Sequence, residues 1–241
     1  MDNRLEEIAE NYDIMKIGLD DKFRFHCTMC GRCCRDRHDI LLSPYDLFRI
    51  AVGLDMKPLE VCKRYCHVYV GEASRIPIVR LLPVGVDERC PFLRGNRCSV
   101  NSFKPNVCAL FPLGRAMCYS ADSTEQNQCD YILQPVNCGD KRKTYTVREW
   151  LAGANIPVED PIFLGWHRLI ADLSSRMLAL EKVSDLKFMA KVVEVVFNKL
   201  YLSYDLTKGF EGQFNKASKK IIKKMDDFFA AAKKGLGGKS E

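Results

Sequence analysis

The sequence predicts an α+β fold: a cysteine-rich metal-binding domain with short helices and a small β-hairpin, followed by a C-terminal helical segment. Three patterns predict it. Two short apolar runs flank Gly95-Asn96, which is typical of a tight hairpin turn. Ser43, followed by Pro44 and Asp46, is typical of a helix start. Beyond Pro161, apolar residues recur at three- and four-residue intervals, which indicates helices.

The predicted elements of the first domain follow one another closely along the chain. The helix that starts at Pro44 should run to about Ala51 and end at Gly53, because glycine weakens a helix. The other predicted elements are a helix from Pro58 that carries Cys62 and Cys66, a strand within residues 75–84, a short helix from Pro105 to Leu110 and an irregular region over residues 115–145. We place the cysteine-cluster domain at residues 20–152 and a helical region at residues 153–241.

The last third of the chain is predicted to form three helices, over residues 163–180, 185–202 and 210–232. The third is basic and amphipathic: residues 208–241 hold nine lysines against four acidic residues, a net +5 that leaves +1 of the formal +6 for the rest. We expect its apolar face to pack on its own domain and its lysines to face solvent. Contact with a membrane surface through this helix is the less favoured alternative.

The composition favours a cytoplasmic protein. The sequence contains no run of eighteen apolar residues, the length that could span a bilayer. The acidic start of the chain has no apolar segment of the kind found in secretory signals. In a reducing compartment, twelve cysteines among 241 residues favour metal-binding thiolates over disulfides. The nearly neutral charge outside the last helix does not indicate specific nucleic-acid binding, and any protein partner is unknown.

The strongest signal for a function is the segment Cys27-x2-Cys30-x2-Cys33-Cys34. Two-residue spacers let successive thiolates converge on one centre from a tight loop, and Gly31 relieves the backbone there. The same spacing opens the bacterial ferredoxin motif, whose thiolates bind an iron–sulfur cluster. Because neighbouring side chains of an extended segment point to opposite faces, we expect Cys33 and Cys34 to serve different sites.

Four further cysteines, Cys90, Cys98, Cys108 and Cys138, bring the predicted metal ligands to eight, the number for two four-cysteine sites. The predicted hairpin would present two of them from its two arms. The alternative is a set of buried free thiols, which the metal-ligand spacing of the first four cysteines disfavours.

The remaining cysteines and the histidines carry less information. Cys62 and Cys66 lie one helical turn apart, which fits a metal-binding pair and a packing face equally well. Less favoured as ligands are Cys118, Cys129, His26 and His38.

These motifs resemble those of the YkgJ-type CxxCxxCC cysteine-cluster family, described as zinc- or iron-chelating. The matching positions are Phe25, Cys27, Cys30, Gly31, Cys33 and Cys34, the helix start from Leu42 to Leu47, Cys90 to Leu93 with Cys98, and Lys104 to Pro112. Where the family usually has arginine, this chain has Lys104 and Ala109, but every thiolate is in place. The resemblance spans roughly residues 23–151.

The resemblance implies a metal-chelating protein. More distant relatives include flagellin lysine methylases, which look like iron–sulfur proteins that move a methyl group from S-adenosylmethionine. This chain has no glycine-rich nucleotide motif after a strand, so a methyl-donor site is not visible in it. No catalytic residue is assigned, because the sequence gives no proximity for its scattered carboxylates.

We predict an iron–sulfur protein with a [4Fe–4S] cluster and redox or cluster-dependent chemistry. The ferredoxin-like triplet and a ligand set spread over more than a hundred residues favour this cofactor over zinc, whose structural sites usually use two close cysteine pairs. Two alternatives stay open. One is a zinc-binding structural or interaction module whose helices bind a partner, and the other is an S-adenosylmethionine-dependent protein lysine methyltransferase.

Overall fold

The structure is a computed structural model that describes residues 8–118 and 128–237. It combines short helices, small antiparallel sheets and longer C-terminal helices, so the predicted α+β class is confirmed. No helix within these two ranges is both long enough and apolar enough to cross a membrane.

The chain forms two compact units, and each unit combines two stretches of sequence. The cysteine unit comprises the described residues within 1–41 and 80–164. The helical unit comprises those within 42–79 and 165–241. Our division of the chain near residue 152 stays a prediction.

The regular elements are numbered in chain order. The helices are α1 (Tyr12–Met15), α2 (Pro44–Leu54), α3 (Pro58–Tyr65), α4 (Asn106–Leu110), α5 (Val147–Gly153), α6 (Pro161–Glu181), α7 (Leu186–Phe197) and α8 (Phe210–Gly237), with 3₁₀ turns at Arg32–Cys34 and Asn101–Phe103 and a π-helical turn at Asn198–Leu202. The strands are β1 (Lys16–Ile17), β2 (Lys22–His26), β3 (Leu41–Leu42), β4 (Cys66–Val70), β5 (Pro77–Leu81), β6 (Leu93–Arg94), β7 (Arg97–Cys98), β8 (Leu113–Cys118), β9 (Gln128–Leu133) and β10 (Asp140–Thr146). The described strands pair in the orders β1–β9–β8, β10–β2, β3–β5–β4 and β6–β7.

The core of the cysteine unit forms on one face of β2. Phe23 and Phe25 are buried and alternate with the exposed Lys22 and Arg24, as the two-residue period of a strand requires. Trp150 of α5 packs edge-on against both phenylalanine rings, with centroid distances of 5.6 and 5.7 Å. Because these contacts hold β2 in place, they also fix the point from which the first cysteine motif leaves the core.

The prediction of an irregular region over residues 115–145 is wrong at residues 115–118, 128–133 and 140–145, and its residues 119–127 lie outside the described residues. Strands β8 and β9 pair in register from Leu113 opposite Leu133 to Cys118 opposite Gln128, and β10 pairs with β2. Strand β10 is mostly exposed and charged, so it has no apolar alternation that a sequence pattern could detect. Pairing with a strand more than a hundred residues away in sequence determines its conformation.

Helix α2 begins at the predicted residues. The Ser43 hydroxyl accepts a hydrogen bond from the Asp46 N–H at 3.1 Å, and the Asp46 carboxylate accepts one from the Ser43 N–H at 3.0 Å. This reciprocal capping satisfies two of the N–H groups that a helix start leaves unpaired. The helix ends at Leu54, one residue beyond the predicted Gly53.

The three predicted C-terminal helices are present as α6, α7 and α8. The apolar residues of α8 that are buried in the helical unit are Phe210, Phe214, Ile221, Met225 and Ala232. The exposed lysines of the same helix are Lys216, Lys219, Lys220, Lys223, Lys224 and Lys233. The apolar face therefore packs on the helical unit and the lysines are solvated, as expected.

The predicted second helix is shorter than expected. Helix α3 ends at Tyr65, so Cys62 is helical, whereas Cys66 is the first residue of β4. The chain leaves the helix here because β-branched and aromatic residues favour an extended backbone, and Val68 and Tyr69 follow.

Candidate metal centre

All eight predicted ligands lie in the cysteine unit. Cys27 follows β2, and the loop and 3₁₀ turn after it hold Cys30, Cys33 and Cys34. Cys90 precedes β6 and Cys98 ends β7. Cys108 lies in α4, and Cys138 precedes β10. Cys27 is exposed and the other seven are partly buried, and all eight are free thiols. The fold thus brings thiols from four separate stretches of chain into one unit.

The first motif folds as a turn rather than as an extended segment. Gly31 has a φ of 71°, in the left-handed region that glycine adopts readily, and it starts the 3₁₀ turn Arg32–Cys34. The Cys34 N–H donates to the Gly31 carbonyl at 3.1 Å. The Sγ atoms of Cys33 and Cys34 are 3.9 Å apart, so the expectation that the two point to opposite faces is wrong. The two-residue period applies to strands and does not hold in a tight turn.

Backbone hydrogen bonds join this turn to the second group of cysteines. The Cys90 N–H donates to the Cys34 carbonyl at 2.7 Å, and the Asp36 N–H donates to the Glu88 carbonyl at 3.1 Å. Beyond Cys90 the predicted hairpin is present, with β6 and β7 joined through Gly95-Asn96. Only Cys98 lies on one of its strands, because Cys90 precedes β6.

Cys138 reaches the first motif through a close backbone contact. Gly139 has a φ of 71°, and a Cβ at this position would lie 2.7 Å from the His26 carbonyl oxygen and 2.7 Å from the Phe25 ring. Only glycine allows that approach. One Arg32 Nη donates to the Asn137 carbonyl at 2.8 Å and holds the same loop from the other side.

The pKa values of the thiols reveal a first group around Cys138. Burial, followed by the charges of Cys33, Cys30 and Cys27, raises the pKa of Cys138 to about 11. The backbone N–H of Arg32 donates to the Cys30 sulfur and lowers the pKa of that thiol. Thiols whose charges shift one another's pKa in this way lie near one another in the fold.

A second group surrounds Cys34. Its hydrogen bond to the Cys33 sulfur raises the pKa of Cys34, as do burial and the charges of Cys33, Cys90 and Cys108. The same hydrogen bond lowers the pKa of Cys33 to about 6. Burial raises the pKa values of Cys90 and Cys98, and the charge of Cys33 adds to both effects. Cys33 therefore interacts with members of both groups.

Lys104 supplies positive charge beside these thiols. It stands where the resembled family usually has arginine, and its charge lowers the pKa values of Cys33 and Cys98. The departure from the family pattern thus keeps the cation and loses only the guanidinium shape.

The donor set fits a metal centre. Several thiolates that raise one another's pKa are stable together only when a positive centre lies among them. Metal binding also requires deprotonated thiols, which the backbone N–H groups of Arg32, Phe92 and Val100 favour by donating to the Cys30, Cys90 and Cys98 sulfurs.

The two histidines of the cysteine unit each contact a carboxylate. His26 Nδ1 lies 3.3 Å from Asp140, and His38 Nε2 lies 3.1 Å from Glu88. Asp36 joins the second pair, and the three ligand atoms lie within 4.8 Å of one another. The sequence did not indicate this group, because Glu88 is distant along the chain and reaches the other two only through the folded backbone.

The structure does not group the other four cysteines with this set. Cys62 and Cys66 belong to the helical unit. Cys129 packs against the aromatic core of the cysteine unit, and the Cys118 side chain lies outside the described residues.

Comparison with known proteins supports this assignment at the level of the domain. Residues 26–139 match the model of the family CxxCxxCC, which is described as "Putative zinc- or iron-chelating domain". Neither curated proteins nor solved structures gave a match. The matched residues include all eight cysteines of the candidate centre, so residues 26–139 of this chain are similar to the zinc- or iron-chelating domain that defines the CxxCxxCC family.

Proposed function

We propose that the cysteine unit binds iron–sulfur clusters and that the protein carries out redox or cluster-dependent chemistry. The proposed ligands are Cys27, Cys30, Cys33, Cys34, Cys90, Cys98, Cys108 and Cys138. The observation that carries the proposal is the grouping of thiols from four stretches of chain around Cys33. Eight thiolates match two four-cysteine clusters.

The spacing of the thiols favours iron–sulfur over zinc. Zinc–sulfur bonds of about 2.3 Å in a tetrahedral site put the sulfur atoms roughly 3.8 Å apart. Across residues 8–118 and 128–237, the one trio of ligand atoms found within 4.8 Å of one another is that of Asp36, His38 and Glu88, and it contains no cysteine. A cubane binds each thiolate through a different iron and so holds its thiolates farther apart than a single ion does.

The protein's own contribution to such a cluster is the setting of its ligand sulfurs. A [4Fe–4S] cluster supplies one-electron transfer, and hydrogen bonds to its sulfurs tune the reduction potential. Here the backbone N–H groups of Arg32 and Gly139 donate to Cys30, and that of Val100 donates to Cys98. Free thiols are compatible with a reducing, cytoplasmic setting, which we keep as part of the proposal.

The test is the metal content of protein purified without oxygen. Iron and acid-labile sulfide should be present in equal amounts, with a broad absorption band at about 400 nm and a paramagnetic resonance signal after reduction. Colourless protein that holds stoichiometric zinc and no sulfide contradicts the proposal and favours the zinc-binding module.

Ligand substitutions test the number of centres. If Cys138 and Cys108 serve different clusters, Cys138→Ser and Cys108→Ser should each lose about half of the bound iron. Cys129→Ser is the matched control, because this cysteine packs against the core and is outside the proposed ligand set. Full iron content in both ligand variants contradicts the assignment, and complete loss in either indicates one shared centre.

A further inference from the structure

Two thiols outside the metal centre form a pair of their own in the helical unit. Cys62 lies in α3 with only 3% of its surface exposed, and Cys66 is the partly exposed first residue of β4. The eight proposed cluster ligands all belong to the other unit. The proposed iron–sulfur function therefore leaves this pair without a role.

The end of helix α3 brings the two side chains together. The Cys66 N–H donates to the Cys62 carbonyl, so the two residues are neighbours one helical turn apart. Their thiols also hydrogen-bond each other. Cys66 has already left the helix, with a φ of −125° and a ψ of 157°.

This geometry leaves room for a bond between the sulfurs. The Cβ atoms of residues one turn apart lie about 5–6 Å from each other in a helix, whereas a disulfide needs about 3.5–4.5 Å. Cys66 can supply the difference of roughly 1 Å because its backbone is already extended at the helix end and only its N–H is still bonded to the helix. Cys62 stays in place within the packed face that includes Val61.

The electrostatics of the pair suit thiol–disulfide exchange. The Cys66 S–H donates to Cys62 and lowers the pKa of the Cys62 thiol, while the same bond raises the pKa of Cys66. One proton shared between two adjacent sulfurs lets the Cys62 thiolate act as the base that takes the Cys66 proton when the Cys66 sulfur attacks.

We propose that Cys62 and Cys66 are a redox-active dithiol that closes to an intramolecular disulfide by exchange with a low-molecular-weight disulfide of the glutathione class. Cys66 meets the external disulfide first, because this residue is partly exposed and Cys62 is buried. This site is independent of the metal centre.

The exchange is balanced in two steps. As the Cys66 sulfur attacks, its proton passes to the Cys62 thiolate, a bond forms between Cys66 Sγ and one glutathione sulfur, the external disulfide breaks, and the first glutathione leaves as a thiolate. That thiolate takes the proton of Cys62. The Cys62 thiolate then attacks Cys66 Sγ, the bond from Cys66 to the second glutathione breaks, and that glutathione leaves as a thiolate that takes a proton from solvent. Two protein thiols are oxidised, and one glutathione disulfide is reduced to two thiols.

The chain allows a direct test. Trypsin cuts after Lys63 and after Arg64, which lie between the two cysteines, so they fall in separate peptides, and each of these peptides contains no other cysteine. The full-length, metal-loaded protein is incubated with glutathione disulfide, the remaining thiols are blocked with N-ethylmaleimide, and the digest is analysed by mass spectrometry. We expect the two peptides to be recovered joined, with a loss of two hydrogen atoms.

Serine variants separate exchange from chance oxidation. Cys62→Ser should trap Cys66 as a stable glutathione adduct, because the resolving thiol is gone. Cys66→Ser should leave Cys62 unmodified, because that thiol is buried. Recovery of both wild-type peptides as separate maleimide or glutathione adducts overturns the proposal. The wild-type map decides the question even if a variant does not fold, and it does so whether the metal proves to be iron or zinc.

Discussion

At the scale of single residues, the most deeply buried of the described ion pairs joins Arg115 of β8 to Asp160. Their side chains are 2% and 8% exposed, and Arg115 Nη2 lies 3.0 Å from the Asp160 carboxylate. The guanidinium also lies over the Phe163 ring, 3.6 Å from its centroid. Two of its nitrogens, Nε and Nη1, have no partner among the described residues. Asp160 is therefore the main compensation for a charge that has lost its water.

Removing that compensation should destabilise the protein strongly. We expect Asp160→Asn to lower the free energy of unfolding by about 3 kcal/mol, because it leaves the Arg115 charge buried and unpaired. The Asp160 carboxylate accepts hydrogen bonds from the N–H groups of Ile162 and Phe163, and the side-chain oxygen of asparagine can still accept them. The substitution therefore removes the charge and keeps the cap of the helix. Urea denaturation measures the change.

The matched control is an exposed ion pair. Asp226 lies 2.7 Å from Arg176 and is 65% exposed, so Asp226→Asn should change the free energy of unfolding by less than about 1 kcal/mol. Equal effects of the two substitutions would mean that the buried Arg115 charge finds compensation elsewhere.

At the scale of elements, helix starts are the features that local sequence determines. Ser43 and Thr146 both cap their helices with a side-chain oxygen and receive a carboxylate three residues later. Helix α3 differs, because its first N–H groups have no side-chain oxygen from Lys57. Glu60 nevertheless accepts from the Lys57 backbone N–H at 3.2 Å.

These caps should contribute measurable stability. We expect Ser43→Ala to lower the free energy of unfolding by about 1 kcal/mol, because the Asp46 N–H then loses its partner. Lys57→Ala should change it by less than about 0.5 kcal/mol, since the Glu60 contact uses only the backbone of residue 57. A cost for Lys57→Ala as large as that for Ser43→Ala would show that helix propensity, and not capping, determines both values. Urea titrations of the three proteins decide it.

The same distinction between local and long-range causes explains what the sequence could predict. The helix at Pro44, the hairpin turn at Gly95-Asn96 and the spacing of the first cysteine motif depend on neighbours in sequence, and all are present. Strand β10 and the contact of Asp36 with Glu88 depend on pairing between distant segments, and no sequence pattern marked them. The prediction that the Cys33 and Cys34 side chains point to opposite faces is wrong because it applied the two-residue period of a strand to a turn. Whether the two serve different sites stays a prediction.

At the scale of the whole molecule, the two units have different means of stabilisation. The helical unit buries long apolar faces of α6, α7 and α8, including Leu173, Val196 and Ile221. Around the cysteines the regular elements are short: β6 and β7 have two residues each, and α4 has five. Elements of that length do not persist alone, and a metal that joins several of them can stand in for a missing core.

Loss of the metal should therefore unfold the cysteine region and spare the helical unit. We expect removal of the cluster to increase hydrogen exchange at the Cys90 and Ser99 amides, which donate to the Cys34 and Phe92 carbonyls at 2.7 and 2.9 Å. Amides of α7 and α8 should keep their protection, because these helices belong to the helical unit and the proposed ligands belong to the cysteine unit. Hydrogen exchange with mass spectrometry on loaded, stripped and reconstituted protein measures both, and reconstitution should restore the first pair. Equal loss of protection throughout the chain would mean that the entire protein needs the metal to fold. Unchanged protection at the Cys90 amide would mean that the hydrogen bonds of the turn hold the thiols together without the metal.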